Sequence, residues 1–131
     1  MGLFFEKAYS SIRLEFLSMH HYRQAKLKDH TMTIRSRAII ETENASKYLQ
    51  QLAKHWSHKF PDTTFSEKEA HIPFSDDVSV DMFAEKASLV VQITTPNEFE
   101  AIKIEGIFDQ HILRFAFKEQ LSIDWHRETL P

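Results

Sequence analysis

Two histidines, His55 and His58, sit in the segment Lys54-His55-Trp56-Ser57-His58-Lys59-Phe60-Pro61 with an aromatic residue between them. Imidazoles so spaced can ligate a metal, carry a proton or, once protonated, hold an anion. A further histidine, His111, stands three residues before Arg114 in His111-Ile112-Leu113-Arg114-Phe115. A guanidinium near imidazoles adds a permanent positive charge suited to carboxylate or phosphate. Several alternatives are excluded by residue type. The chain has no cysteine, which removes thiolate nucleophiles, iron–sulfur ligation and Cys-type zinc sites. Its only glycines are Gly2 and Gly106, so no phosphate-cradling glycine loop can form. A zinc-protease helix needs two histidines four apart with a glutamate between, whereas here Trp56 and Ser57 separate histidines three apart. Ser57, His58 and Asp62 are neighbours in sequence, but nucleophilic triads are defined by spatial geometry. Asp76-Asp77 reads as a solvated turn, and His20-His21 lacks a third ligand of fixed geometry. His71, between Ala70 and Ile72, is expected on the solvent face, and His126 has no evident partner.

These side chains are positioned by two amphipathic helices. Ala45, Tyr48, Leu49, Leu52 and Trp56 form one apolar stripe, with Asn44 or Thr42 as N-cap and Pro61 as the stop. Ala101, Ile104, Phe108, Ile112 and Phe115 form another, opened by Pro96 and an Asn97/Glu100 capping box. At ~100° per residue, His55 lies about 60° from Leu52 and His58 about 120° to the same side. His111 lies about 60° from Phe108, and Arg114 about 60° further round. Adjacent helices would therefore turn His55, His58, His111 and Arg114 into one groove. The competing reading is structural: Lys54, His55, His58 and Lys59 all crowd the negative end of a helix dipole, and Trp56 is core. Gly106 within the second helix costs about 1 kcal/mol relative to Ala unless a neighbouring element approaches closely.

The strands alternate apolar and polar residues. The first, Thr33 to Thr42, puts Ile34, Ser36, Ala38 and Ile40 on one side and Arg35, Arg37 and Ile39 on the other. Four short strands follow, around Phe65, Ala70–Phe74, Val78–Met82 and Leu89–Ile93, with Pro73 marking an edge or bulge. A last strand is expected over Leu121-Ser122-Ile123-Asp124-Trp125. The order β-α-β-β-β-β-α-β implies an α+β domain, an antiparallel sheet with two helices packed on one face.

Composition bounds the function. The chain has 131 residues, 42% of them hydrophobic and eleven of them Phe, which is enough for one core. A net charge of −3 argues against a nucleic-acid binder with a broad basic face. No apolar run approaches the ~18 residues of a transmembrane helix, and the lack of cysteine fits a cytoplasmic protein. Residues 1–31 carry five basic and three acidic residues, net +2, against eleven and sixteen, net −5, for 32–131. With Phe5, Ala8, Ile12, Phe16 and Met19 at helical spacing, 1–31 reads as an appended amphipathic helix, able to dock a partner or a second copy. Residues 32–131 read as the self-sufficient domain.

Ser36-Arg37-Ala38, Thr42-Glu43-Asn44-Ala45-Ser46-Lys47-Tyr48-Leu49, His55-Trp56-Ser57-His58-Lys59-Phe60 and His111-Ile112-Leu113-Arg114-Phe115-Ala116-Phe117-Lys118-Glu119 together resemble a small bacterial family, domain of unknown function 2218, over about residues 32–125. Ala53 stands where the family suggests cysteine, and His71 where it suggests glycine. The resemblance implies a cytoplasmic accessory protein of undetermined activity, linked to siderophore-interacting flavoproteins and so to iron acquisition. It carries over His55, Trp56, His58, His111, Arg114 and Phe115 as ligand contacts, with His55, His58 and His111 as ligands should Fe or Zn be bound. Three functions stay open: a binding or accessory domain using the His/Arg groove, an enzyme with a histidine general base acting on a small anionic or metal-bound substrate, and an interaction module working through the N-terminal helix.

Overall fold

The computed structural model describes residues 32–131, so the expected N-terminal helix lies outside the described residues. The elements are β1 (Thr33–Glu41), α1 (Ala45–Ser57), β2 (Thr64–Phe65), β3 (Glu69–Pro73), β4 (Ser79–Ala84), β5 (Ser88–Thr95), α2 (Glu98–Phe115) and β6 (His126–Leu130). The strands form one six-stranded sheet in the order β2-β3-β4-β5-β1-β6, antiparallel throughout.

Alternation assigns the two faces. Ala38 lies opposite Val91, Ile40 opposite Leu89, Val80 opposite Ile93 and Met82 opposite Val91, and all are buried. Side chains facing each other across antiparallel strands share a face, so these residues make one apolar floor. Leu49, Leu52 and Trp56 of α1 and Ile104, Phe108 and Ile112 of α2 join the same core cluster. Both helices thus cover the same floor. Ala45, Tyr48, Leu49, Leu52 and Trp56 are all buried, so the stripe read from the sequence is the packed face. Pro73 is accommodated because β2 pairs only with Ala70 and His71, leaving the end of β3 with no neighbour on that side.

Three expectations need correction. Asn44 flanks α1, but its side chain makes no capping bond. Thr42 Oγ1 instead accepts from the Asn44 backbone N–H at 3.0 Å, while Asn44 Nδ2 donates to Glu119 at 2.7 Å. Donating its Nδ2 to this distant carboxylate orients the amide so that its Oδ1 does not accept from the helix N–H groups. At α2 the cap forms as read, with Asn97 Oδ1 accepting from Glu100 N–H at 2.8 Å.

The last strand begins at His126, after the expected stretch. Leu121, Ile123 and Trp125 spend their apolar sides on the core cluster, and Trp125 Nε1 donates to Asp109 at 3.0 Å. The ladder with β1 falls to the polar residues that follow, as suits an exposed edge. Its register is clamped by Arg127, whose guanidinium donates twice to Glu105 at 2.7 Å and lies 3.6 Å from Glu98.

Gly106 is also not explained by close packing, for a Cβ built there meets nothing within 4 Å. Gly106→Ala should therefore raise stability by about 1 kcal/mol in urea unfolding. Arg127→Met should lower it by about 2–3 kcal/mol, short of the roughly 3–5 of a fully enclosed pair. That reduction follows from Arg127 being 34% exposed beside a Glu105 side chain only 6% exposed.

Candidate functional site

The site grows from Trp56. Its indole is 4% exposed and lies 5.5 Å from the Phe74 ring, 6.0 Å from Phe108 and 5.0 Å from His111, centroid to centroid. Such aromatic contacts add specific geometry to the area they bury. Successive helical side chains diverge by ~100°, so burying Trp56 puts His55 on the flank of α1, beside α2. The His55 ring lies 5.2 Å from His111 and 6.0 Å from Phe115. Contacts run in opposite senses along the helices, Trp56 meeting Phe108, His55 meeting Phe115 and Tyr48 meeting Glu119. This follows from each helix succeeding one of two antiparallel strands.

His111 is held in a defined tautomer. Its Nδ1 lies 2.7 Å from the Ile107 carbonyl oxygen, which can only accept, so Nδ1 carries a proton and donates. Nε2 is then the nitrogen left to a ligand or a second proton. His55 is driven toward neutrality, its pKa lowered from 6.5 first by desolvation and then by His111, His58 and Arg114. His55, His58 and Arg114 all keep an exposed side, and His58 and Arg114 make no ring contact with His55, yet both bear on it electrostatically. The structure thus brings His55, His111, Trp56 and Phe115 into contact and leaves His58 and Arg114 at the rim. Among the described residues no three His, Asp or Glu side chains are grouped to hold a metal ion. His55 and His111 could supply two imidazoles, with any further ligands coming from elsewhere.

A second cluster went unread in the sequence. Glu119, just past α2, accepts from Thr42 Oγ1 at 2.9 Å, Asn44 Nδ2 at 2.7 Å and the Tyr48 hydroxyl. These bonds hold its carboxyl below the usual range, the Tyr48 bond weighing most. Burial, reinforced by Glu119, pushes the Tyr48 hydroxyl up to about 12. These three bonds tie the end of α2 to the start of α1. The sole signal for it was that Glu119 closes the same sequence segment as His111 and Arg114. On the other sheet face, His71 points to solvent as expected and finds Asp81 at 2.6 Å on β4.

Two antiparallel-sheet-supported helices with paired imidazoles at their seam define the class: an α+β domain with a cationic inter-helix edge. Residues 37–126 match the sequence profile of the family described as "Uncharacterized protein conserved in bacteria (DUF2218)". The chain belongs to this family. A solved structure, "NMR structure of PA4090 from Pseudomonas aeruginosa", is similar with 28% identity, 71% of this chain and 95% of that one covered, and a TM-score of 0.61. No curated protein matches. None of the helices among the described residues is long and apolar enough to cross a membrane.

The lowered His55 value has a measurable consequence. Unfolded, His55 takes a proton near 6.5, and folded it does so at lower pH. Between those values the unfolded chain binds more protons, so stability falls as pH drops across that window and is unaffected by this group above it. NMR titration should find the His55 midpoint below 6.5, moving upward in Arg114→Met and His111→Gln. In His55→Gln this part of the pH slope should vanish.

Proposed function

We propose that this chain is a cytoplasmic, non-catalytic binding domain that holds a small anionic ligand at the edge between α1 and α2. His55, His111, His58 and Arg114 supply the charge and the half-buried Phe115 ring the apolar flank, while the buried Trp56 backs the imidazoles from the core. One observation carries the reading: the His55 and His111 rings lie 5.2 Å apart at the seam, and the charged groups bearing on His55 are His111, His58 and Arg114, with no carboxylate among them. An anion at that point relieves the repulsion and lets the imidazoles protonate and donate. Neutral small molecules would gain nothing from this arrangement.

The family resemblance suggests which anions to test. It links the family to siderophore-interacting flavoproteins, and a negatively charged ferric chelate fits the cationic rim and the half-buried Phe115 ring. In that case iron arrives as cargo with its coordination filled by the chelate, and the two imidazoles would donate hydrogen bonds to the chelate's anionic oxygens. One observation favours a catalytic alternative: His55 stays neutral near pH 7, the state required of a general base. Such an enzyme would act on the same class of small anion.

Calorimetry on the full chain with phosphate, citrate, ferric citrate and a ferric catecholate tests the proposal. Binding of at least one should tighten as pH falls through 6.5, with proton uptake seen as a dependence on buffer ionisation heat. Arg114→Ala should weaken it about tenfold to a hundredfold, the worth of a charge-assisted hydrogen bond. Absence of heat with every probe, or affinities indifferent to Arg114→Ala and His55→Gln, would remove the proposal. Chemical conversion of a bound probe, lost in His55→Gln, would favour the enzyme.

A further inference from the structure

The sheet face turned away from the helices carries two cross-strand rows centred on β5. Register places Phe83, Val90 and Ile39 side by side on β4, β5 and β1. Phe83 is 39% exposed and Ile39 60% exposed, and no helix among the described residues covers them. The neighbouring row on the same face reads His71, Asp81, Gln92, Arg37 and His126 across β3, β4, β5, β1 and β6. Its charges are antisymmetric about Gln92: a carboxylate one strand to one side, a guanidinium one strand to the other. Among the described residues Asp81 pairs with His71, and no carboxylate is paired with Arg37.

From this pattern we infer that the open face is a self-association surface whose occupant is a second copy of this chain, related by a two-fold axis running along β5. Two sheets packed face to face lie ~10 Å apart with strands nearly aligned. A rotation about an axis parallel to the strands keeps each row over its own counterpart and exchanges left for right. Val90 then meets Val90 of the second copy and Phe83 meets Ile39, giving an apolar centre. Gln92 meets Gln92, an amide able to donate and accept to its own image. Asp81 meets Arg37 and, by symmetry, Arg37 meets Asp81, as an isologous interface demands. An axis across the strands would keep β4 over β4 and β1 over β1, so centred on the charged row it would set Asp81 against Asp81 and Arg37 against Arg37. The twist between packed sheets displaces outer strands most, so the match is required only of β4, β5 and β1.

Charge reversal tests this on the full chain, read by sedimentation velocity over a concentration series. The native chain should self-associate to a dimer. Arg37→Asp alone and Asp81→Arg alone each set like charges opposite one another twice, and each should weaken the dimer more than about tenfold. The double variant Arg37→Asp/Asp81→Arg should recover it. A mixture of the two single variants should form a heterodimer, because every reversed charge then meets its opposite. Circular dichroism confirms that each variant remains folded, and Phe83→Ser, at an exposed position of the apolar row, supplies a second disruption that introduces no charge. The inference is overturned by a native chain that stays monomeric, by single reversals that leave the dimer intact, or by a mixture that fails to associate. A dimer dissolved by making Phe99 and Leu113 of α2 polar, while tolerating the sheet reversals, would also overturn it.

Discussion

Burial of Trp56 between the two helices is the constraint on which the candidate site depends. The indole is enclosed with the help of Phe74, Phe108 and His111, whose rings lie against it. Once it is seated, helical geometry leaves His55 no direction but the seam. The imidazole pair is thus a by-product of core packing as much as a feature beside it. A residue that locks the two helices together also sets the distance between the two rings.

Electrostatics within the domain separates into regions of opposite sense. At the seam, His111, His58 and Arg114 all act to lower the His55 pKa, and no carboxylate is among the causes of its shift. Elsewhere charges are closed within the chain. Glu119 is satisfied by Thr42, Asn44 and Tyr48, and Glu105 by Arg127. Asp109, raised by burial, keeps a hydrogen bond from Trp125. This contrast is why the seam reads as a binding edge and the other clusters as fastenings. Residues 32–131 carry a net charge of −5, yet Glu105, Asp109 and Glu119 are bound within the fold and none of them is among the causes of the His55 shift.

The two sheet faces show the same division at larger scale. The inner one is continuous and apolar, and its cost in exposed surface is offset by the helices. The outer one mixes an apolar row with a charged row, a composition that tolerates water and also matches its own rotated image.

Periodicity by itself determined the element order, the inward faces of β1, β4 and β5, both helix stripes and the Asn97 cap, because each depends on residues within a few positions. It also put His55, His58, His111 and Arg114 on helix flanks that could meet. Tertiary structure decided the rest. Alternation over Leu121 to Trp125 signals burial without saying whether the partner is a strand or a helix, and here it is α2 and the core. Asn44 had the residue type of a cap, but a carboxylate 75 positions away claimed its amide. His58 and His55 looked equivalent in the sequence, yet only His55 reaches the ring of His111. Those outcomes turn on which long-range partner arrives first within hydrogen-bond or contact distance. Local spacing carries no record of that, since the energy of each contact is set by atoms supplied from distant parts of the chain.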